Sequence, residues 1–197
     1  MANSNEVRII AGQWRGRKLR FPAGTTIRPT PDRVRETLFN WLAPHIRGSQ
    51  VLDLFAGSGA LGVEALSRGA RAATFVESDA RCVESLRAQL AQFGAEGAEV
   101  LRADAMAWLA KPAVTPFDIV FVDPPFAAGV WSSVCARLER GGFLAAEAFI
   151  YLETPRDIML DSLPRHWLPW REGKAGDVGY HLLRRGAVTG EGSAQAS

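Results

Sequence analysis

Cysteine is scarce in this chain: two among 197 residues, Cys82 and Cys135. They form no CxxC pair, which argues against a disulfide framework and leaves two reduced thiols in or near a core. Histidine is equally thin. His45, His166 and His181 make no HxH or HExxH pattern, so no metal is expected. Nowhere do apolar residues run for the ~18 positions that a membrane helix needs, so no membrane partner is expected. The start, MANSNEVRII, has no basic-then-apolar leader, and a cytoplasmic location is the expectation. Lysine is also rare: of 23 basic residues only Lys18, Lys111 and Lys174 are not arginine.

What the chain does have is an ordinary apolar share, 47%, and a length that suits one domain with at most an appendage. Its net charge of +2 hides an asymmetry. Residues 1–35 carry eight bases (Arg8, Arg15, Arg17, Lys18, Arg20, Arg28, Arg33 and Arg35) against Glu6 and Asp32. The rest of the chain is therefore acidic. Arginine's planar fork binds phosphate bidentately and stacks on bases. The cluster reads as a nucleic-acid-binding arm, with a solvated basic face as the plain alternative.

The arm comes first along the chain. VRIIAG (7–12) and RKLRF (17–21) read as a hairpin turning at Gly16, and PAGTTIRPTP as a linker. A helix is expected from Thr30 as N-cap and Pro31 at its first position, with an apolar stripe of Val34, Leu38, Trp41 and Leu42, ending at Pro44. From residue 50 strands and helices alternate, which means a parallel sheet covered on both faces. HWLPWRE and VGYHLLRR, joined by GKAGD, close it as an antiparallel hairpin. The expected fold class is thus α/β and Rossmann-like: a mostly parallel sheet with a C-terminal antiparallel hairpin, plus a small N-terminal β-hairpin arm. Residues 1–30 form the arm and linker, 31–186 the main domain, and 187–197 a tail without apolar pattern, expected to be disordered.

Residues 53–62 read DLFAGSGALG. Gly57, Gly59 and Gly62 match G-x-G-x-x-G, and Glu77 follows Gly57 by 20 residues, which is the dinucleotide fingerprint. Asp53 speaks against a dinucleotide, because a carboxylate at that strand tip would repel a pyrophosphate. S-adenosylmethionine carries a sulfonium and an ammonium instead, and Asp53 favours both. Glu77 would accept from the ribose hydroxyls and Asp104 from the adenine amine, although Asp104 fits a helix N-cap equally well.

The run FDIVFV ends in Asp123-Pro124-Pro125-Phe126. Open α/β sheets place their ligands at such strand ends. The prolines have no N–H and fix the chain, which leaves carbonyl oxygens free to accept. Asp123 and the Pro124 carbonyl can take the two protons of an amine while Phe126 stacks on the attached ring. Acids therefore stand at four successive strand ends: Asp53, Glu77, Asp104 and Asp123.

DLFAGSGALG, FVE and DPPF together resemble the class I adenosylmethionine-dependent methyltransferases that modify exocyclic amines. RIIAGQWRGRKL, RPTPDRVRETLFNWL, VLDLFAGSGALGVEALSRGA, FVDPPF and GKAGDVGYHLL, spread over residues 7–186, resemble the RsmD family, which methylates N2 of one guanine in 16S ribosomal RNA. The resemblance implies cofactor contacts at Asp53, Leu54, Phe55, Ala56, Gly57, Ser58, Gly59, Glu77, Ser78, Asp104, Ala105 and Asp123. It implies catalysis by Asp123, Pro124, Pro125 and Phe126, and S-adenosylhomocysteine as product. RNA contacts fall to Arg15, Arg17, Lys18, Arg20, Arg28, Arg33 and Arg35. It further implies action on 16S rRNA within an assembled or assembling small ribosomal subunit, and a monomer is expected. Adenine N6, a protein glutamine, a nicotinamide oxidoreductase and a non-catalytic RNA-binding module are the competing readings.

Overall fold

The computed structural model describes residues 5–25, 27, 29–113, 115–125, 130–156 and 163–186. The expected tail, 187–197, lies outside these residues, as do Arg28 and Phe126.

Two short strands, β1 (Glu6–Arg8) and β2 (Lys18–Arg20), pair antiparallel with Val7 opposite Leu19. They are shorter than the sequence suggested. After Arg8 the backbone seeks other partners: Ile10 and Ala11 donate to the Glu64 carboxylate, and Gln13 donates to the Ser67 carbonyl. Gly12 sits at φ 84°, and a side chain there would collide with the Ser67 backbone. Val7, Ile9, Trp14, Leu19 and Phe21 are all buried in the core of the main domain.

Helix α1 (Asp32–Ile46) starts one residue later than expected, with Pro31 in the cap position and no side-chain cap bond. Thr30 lies one residue before the cap position, and its hydroxyl donates to Glu153 at 2.8 Å. The helix passes Pro44 and gains a last half-turn, which buries Ile46.

The main sheet has seven strands, in the order β5 (Ala98–Arg102), β4 (Ala72–Glu77), β3 (Gln50–Asp53), β6 (Phe117–Val122), β7 (Leu144–Pro155), β9 (Val178–Arg185), β8 (Trp167–Ala175). The first five run parallel, and β9 pairs antiparallel with both β7 and β8. This is the mostly parallel sheet with a closing hairpin that the alternation predicted. Helices α1, α2 (Ala60–Ser67) and α3 (Ala80–Phe93) pack on one face with Phe75, Phe121 and Tyr151. Helices α4 (Ala105–Trp108) and α5 (Trp131–Arg140) cover the other, over Leu52, Val120, Val122 and Ile150. Chain order reverses between β3 and β6, and the crevice beyond such a reversal is where doubly wound sheets bind ligands.

Candidate active site

Strand alternation decides which side chains meet at that crevice. Asp53 is in register with Phe121, and Phe121 with Tyr151. Two residues further on, Asp123 and Glu153 follow on the same face, beyond the paired Val122 and Leu152. Asp53, Asp123 and Glu153 thus converge on the α1–α2 side of three adjacent parallel strands. Glu153, two residues before the end of β7, is a fifth acid in this series that the sequence reading passed over. Its signal, an acid closing the apolar run AFIYL, was the same one that marked the other four.

The glycine loop between β3 and α2 forms the floor. Gly57 and Gly59 have φ of 53° and 75°, a region closed to most side chains, and Gly59 is the helix cap. Gly62 plays a different part: a Cβ there would stand 2.3 Å from the Phe75 ring, so it allows α2 to sit close on β4. The acids hold the loop in shape. Asp53 Oδ2 accepts from Gly62 N–H at 2.9 Å, and Glu77 Oε2 accepts from Gly57 N–H at 2.7 Å. Glu77 Oε1 accepts from Asp79 N–H at 2.8 Å, and Ser78 lies beside it, exposed. Asp104 is exposed and accepts from Ala107 N–H at 2.8 Å, which is the N-cap role; Ala105 behind it is buried. Leu54 and Ala56 are buried, and Phe55 and Ser58 line the same turn.

Among the described residues, Asp53, Asp123 and Glu153 have no cationic partner. Burial pushes the Asp53 carboxyl up to about 7, against the pull of the Gly62 hydrogen bond, and Glu77 adds to the rise. Burial, then the charges of Glu153 and Asp53, push Asp123 up to about 8. Glu153 is also raised by burial, although Thr30 and Tyr151 hydroxyls donate to it and oppose the rise. Among the described residues no arginine, lysine or histidine acts on any of the three. Such a pocket welcomes a cation and rejects a pyrophosphate. The residues present therefore fit a sulfonium donor and do not fit a dinucleotide.

Pro124 is buried and Pro125 exposed beside Asp123. On the arm, Arg15, Arg17, Lys18 and Arg20 are exposed, as is Arg33 in the first turn of α1, with Arg17 stacked over Phe93 at 5.1 Å. Arg35 departs from the expectation for it. It is fully buried and donates to the Arg8 carbonyl, the Thr30 carbonyl and Asp32, which removes it from the groups able to reach a phosphate. Among the described residues there is no His/Cys/Asp/Glu group that could hold a metal, and no helix long and apolar enough to cross a membrane.

Comparison with known proteins gives consistent matches. Residues 7–184 match the family described as Conserved hypothetical protein 95. The chain is 50% identical over 186 residues to ribosomal RNA small subunit methyltransferase D of Escherichia coli, covering 94% of this chain and 93% of that one. With the Haemophilus influenzae protein of the same name it shares 45% over 182 residues, covering 91% and 94%. The solved structure of the Escherichia coli protein yhhF superposes with a TM-score of 0.86 at 52% identity, covering 92% of this chain and 99% of that one.

Proposed function

The chain belongs to the Conserved hypothetical protein 95 family, the RsmD family of ribosomal RNA methyltransferases, and from that premise we propose how its site works. It transfers a methyl group from S-adenosylmethionine to the exocyclic N2 amine of a guanine in 16S ribosomal RNA. The observation that carries the cofactor is the trio Asp53, Asp123 and Glu153: adjacent, buried or half-buried, and, among the described residues, without a counter-cation.

When bound, S-adenosylmethionine supplies an electrophilic methyl on a cationic sulfur. The chain's own residues do the rest. Asp53 would favour the donor's positive charge at the β3–β6 reversal, and the glycine loop would let the backbone approach the donor closely. Glu77 and Asp104 mark the ribose and adenine ends of the cofactor, each keeping the backbone bond that orients it. Asp123 and the Pro124 carbonyl accept from the amine. The lone pair of that amine is delocalised into the ring, so acceptors that favour a pyramidal nitrogen stabilise the transition state more than the ground state. Alignment of two bound reactants can contribute about 7–11 kcal/mol of barrier lowering. Phe126, by its place after Pro125, would stack on the base.

The target guanine must be unpaired or flipped out to reach this depth. Arg15, Arg17, Lys18, Arg20 and Arg33 would grip the surrounding phosphates, and kinship with the small-subunit methyltransferases favours a folded RNA in a small-subunit particle as substrate. The literal G-x-G-x-x-G fingerprint kept a nicotinamide enzyme in view, but a pyrophosphate finds no positive partner among the described residues here. Asp123→Ala tests the assignment. Methyl incorporation into small-subunit RNA should fall at least about a hundredfold, with affinity for S-adenosylhomocysteine, which carries no sulfonium, kept within a few-fold by calorimetry. Undiminished incorporation would refute the role given to Asp123.

A further inference from the structure

Methylation of an amine leaves a surplus proton, which must find an acceptor. Glu153 bears on where that proton goes, provided that the site methylates an amine. Its side chain is buried, 6% exposed. Thr30 Oγ1, from the linker, and Tyr151 Oη, from β7 itself, each donate to Glu153 Oε1 at 2.8 Å. The Trp131 indole N–H, from α5, donates to the Glu153 carbonyl, also at 2.8 Å. Side chain and backbone are thus held from the linker, the strand and a helix, one step along the sheet from Asp123.

Among the described residues, few groups face this pair. Asp53 comes from β3, with Glu77 acting on it from β4; Tyr151 stands on β7 and Tyr180 on β9. Arg35 approaches the Thr30 carbonyl, but its ion pairs are with Asp32 and Glu64. Two like charges side by side in a poorly solvated site do not both persist. Two hydroxyl donors make Glu153 the better home for the charge, so the exchangeable proton belongs to Asp123.

We propose that Glu153 is a positioning residue: clamped beside Asp123 by Thr30 and Tyr151, it holds a fixed negative charge that makes Asp123 the acceptor of the proton leaving the substrate amine. The balance closes. With no cation in the site Asp123 carries a proton, and a bound sulfonium displaces it. In the transfer the amine nitrogen forms its bond to the methyl carbon, the carbon–sulfur electron pair stays on sulfur as a neutral thioether, and one N–H proton passes to Asp123. The positive charge that entered on sulfur remains as that proton, which water removes in the next cycle. No oxidant or reductant is involved.

Glu153→Gln tests this, since it keeps an oxygen for both hydroxyls and deletes the charge. Carboxyl-carbon NMR of the donor-free protein should show Asp123 titrating near pH 8 in the parent. In the variant that transition should move down by about one pH unit. Turnover of 16S rRNA should fall at least about tenfold in kcat, with KM for RNA unchanged, and Glu153→Asp, which restores the charge, should recover part of it. Calorimetry in buffers of different ionisation enthalpy supplies a readout that needs no variant. At pH 7.5 the parent should release a proton on binding S-adenosylmethionine and much less on binding S-adenosylhomocysteine. An Asp123 transition that stays in place in Glu153→Gln, or equal proton release with the two ligands, overturns the proposal. A parent protein that binds S-adenosylmethionine but methylates no RNA amine at any pH overturns the underlying reading instead, and this proposal with it.

Discussion

Asp53 illustrates a conflict between stability and function inside a single side chain. It is buried, and its carboxyl is raised from the ordinary 3.8 to about 7. A folded-state value above the unfolded one means that its contribution is fullest below pH 4 and is lost as the pH climbs through 7. Asp53→Asn cannot ionise and still offers an oxygen to Gly62. It should therefore be more stable than the parent at pH 8, by at most about 4 kcal/mol, and the gain should shrink towards pH 4. Urea denaturation at the two pH values checks this. The same variant should bind S-adenosylmethionine more weakly, while S-adenosylhomocysteine, lacking the sulfonium, should lose less. Residues of this kind were legible in the sequence because each terminates an apolar run. Glu153 ends such a run too, but the Thr that follows it and a partner 123 positions away, Thr30, gave no local sign of their bond. Arg35 was misread for a related reason. In a stretch dense with arginine, charge alone cannot tell the one that folds inward from those that stay outside.

At the level of elements, the parallel strands were readable from β-branched runs and the helices from their stripes, since both patterns reflect burial by a single sheet. The start of α1 was not, because the cap position falls on Pro31, which offers no side-chain acceptor. The hairpin's attachment to α2 was not readable either, for it depends on Glu64, an acid in the middle of a helix. Glu64 is fully buried, accepts from the Ile10 and Ala11 amides at 2.8 and 3.0 Å, and pairs with Arg68 at 2.7 Å. Arg35 lies 3.7 Å away with one guanidinium nitrogen otherwise unsatisfied. Glu64→Gln would leave two arginines short of charge, one of them fully buried. It should cost about 3 kcal/mol in urea denaturation and raise hydrogen exchange at Ile10 and Ala11 before the sheet is affected.

For the molecule as a whole, the basic N-terminus opposes an acidic remainder, and that polarity sets how RNA would be met. Arg15→Gln and Arg17→Gln should each reduce the slope of log affinity against log salt by about one phosphate contact. Filter binding from low to physiological salt measures it. Methyl transfer from pre-bound RNA in a single turnover should be little changed, because both residues are exposed on the hairpin and belong to the proposed grip rather than to the acidic site. Attachment of the hairpin by Glu64, Ser67 and Gly12, together with its share of the central apolar cluster, also fixes the offset between its basic residues and Asp123, the proposed catalytic acid. A gripping surface that cannot swing works as a caliper. It would accept only those RNA folds whose backbone and protruding base are separated by the span built into the protein, and a nucleotide inserted between them would put the same sequence out of reach.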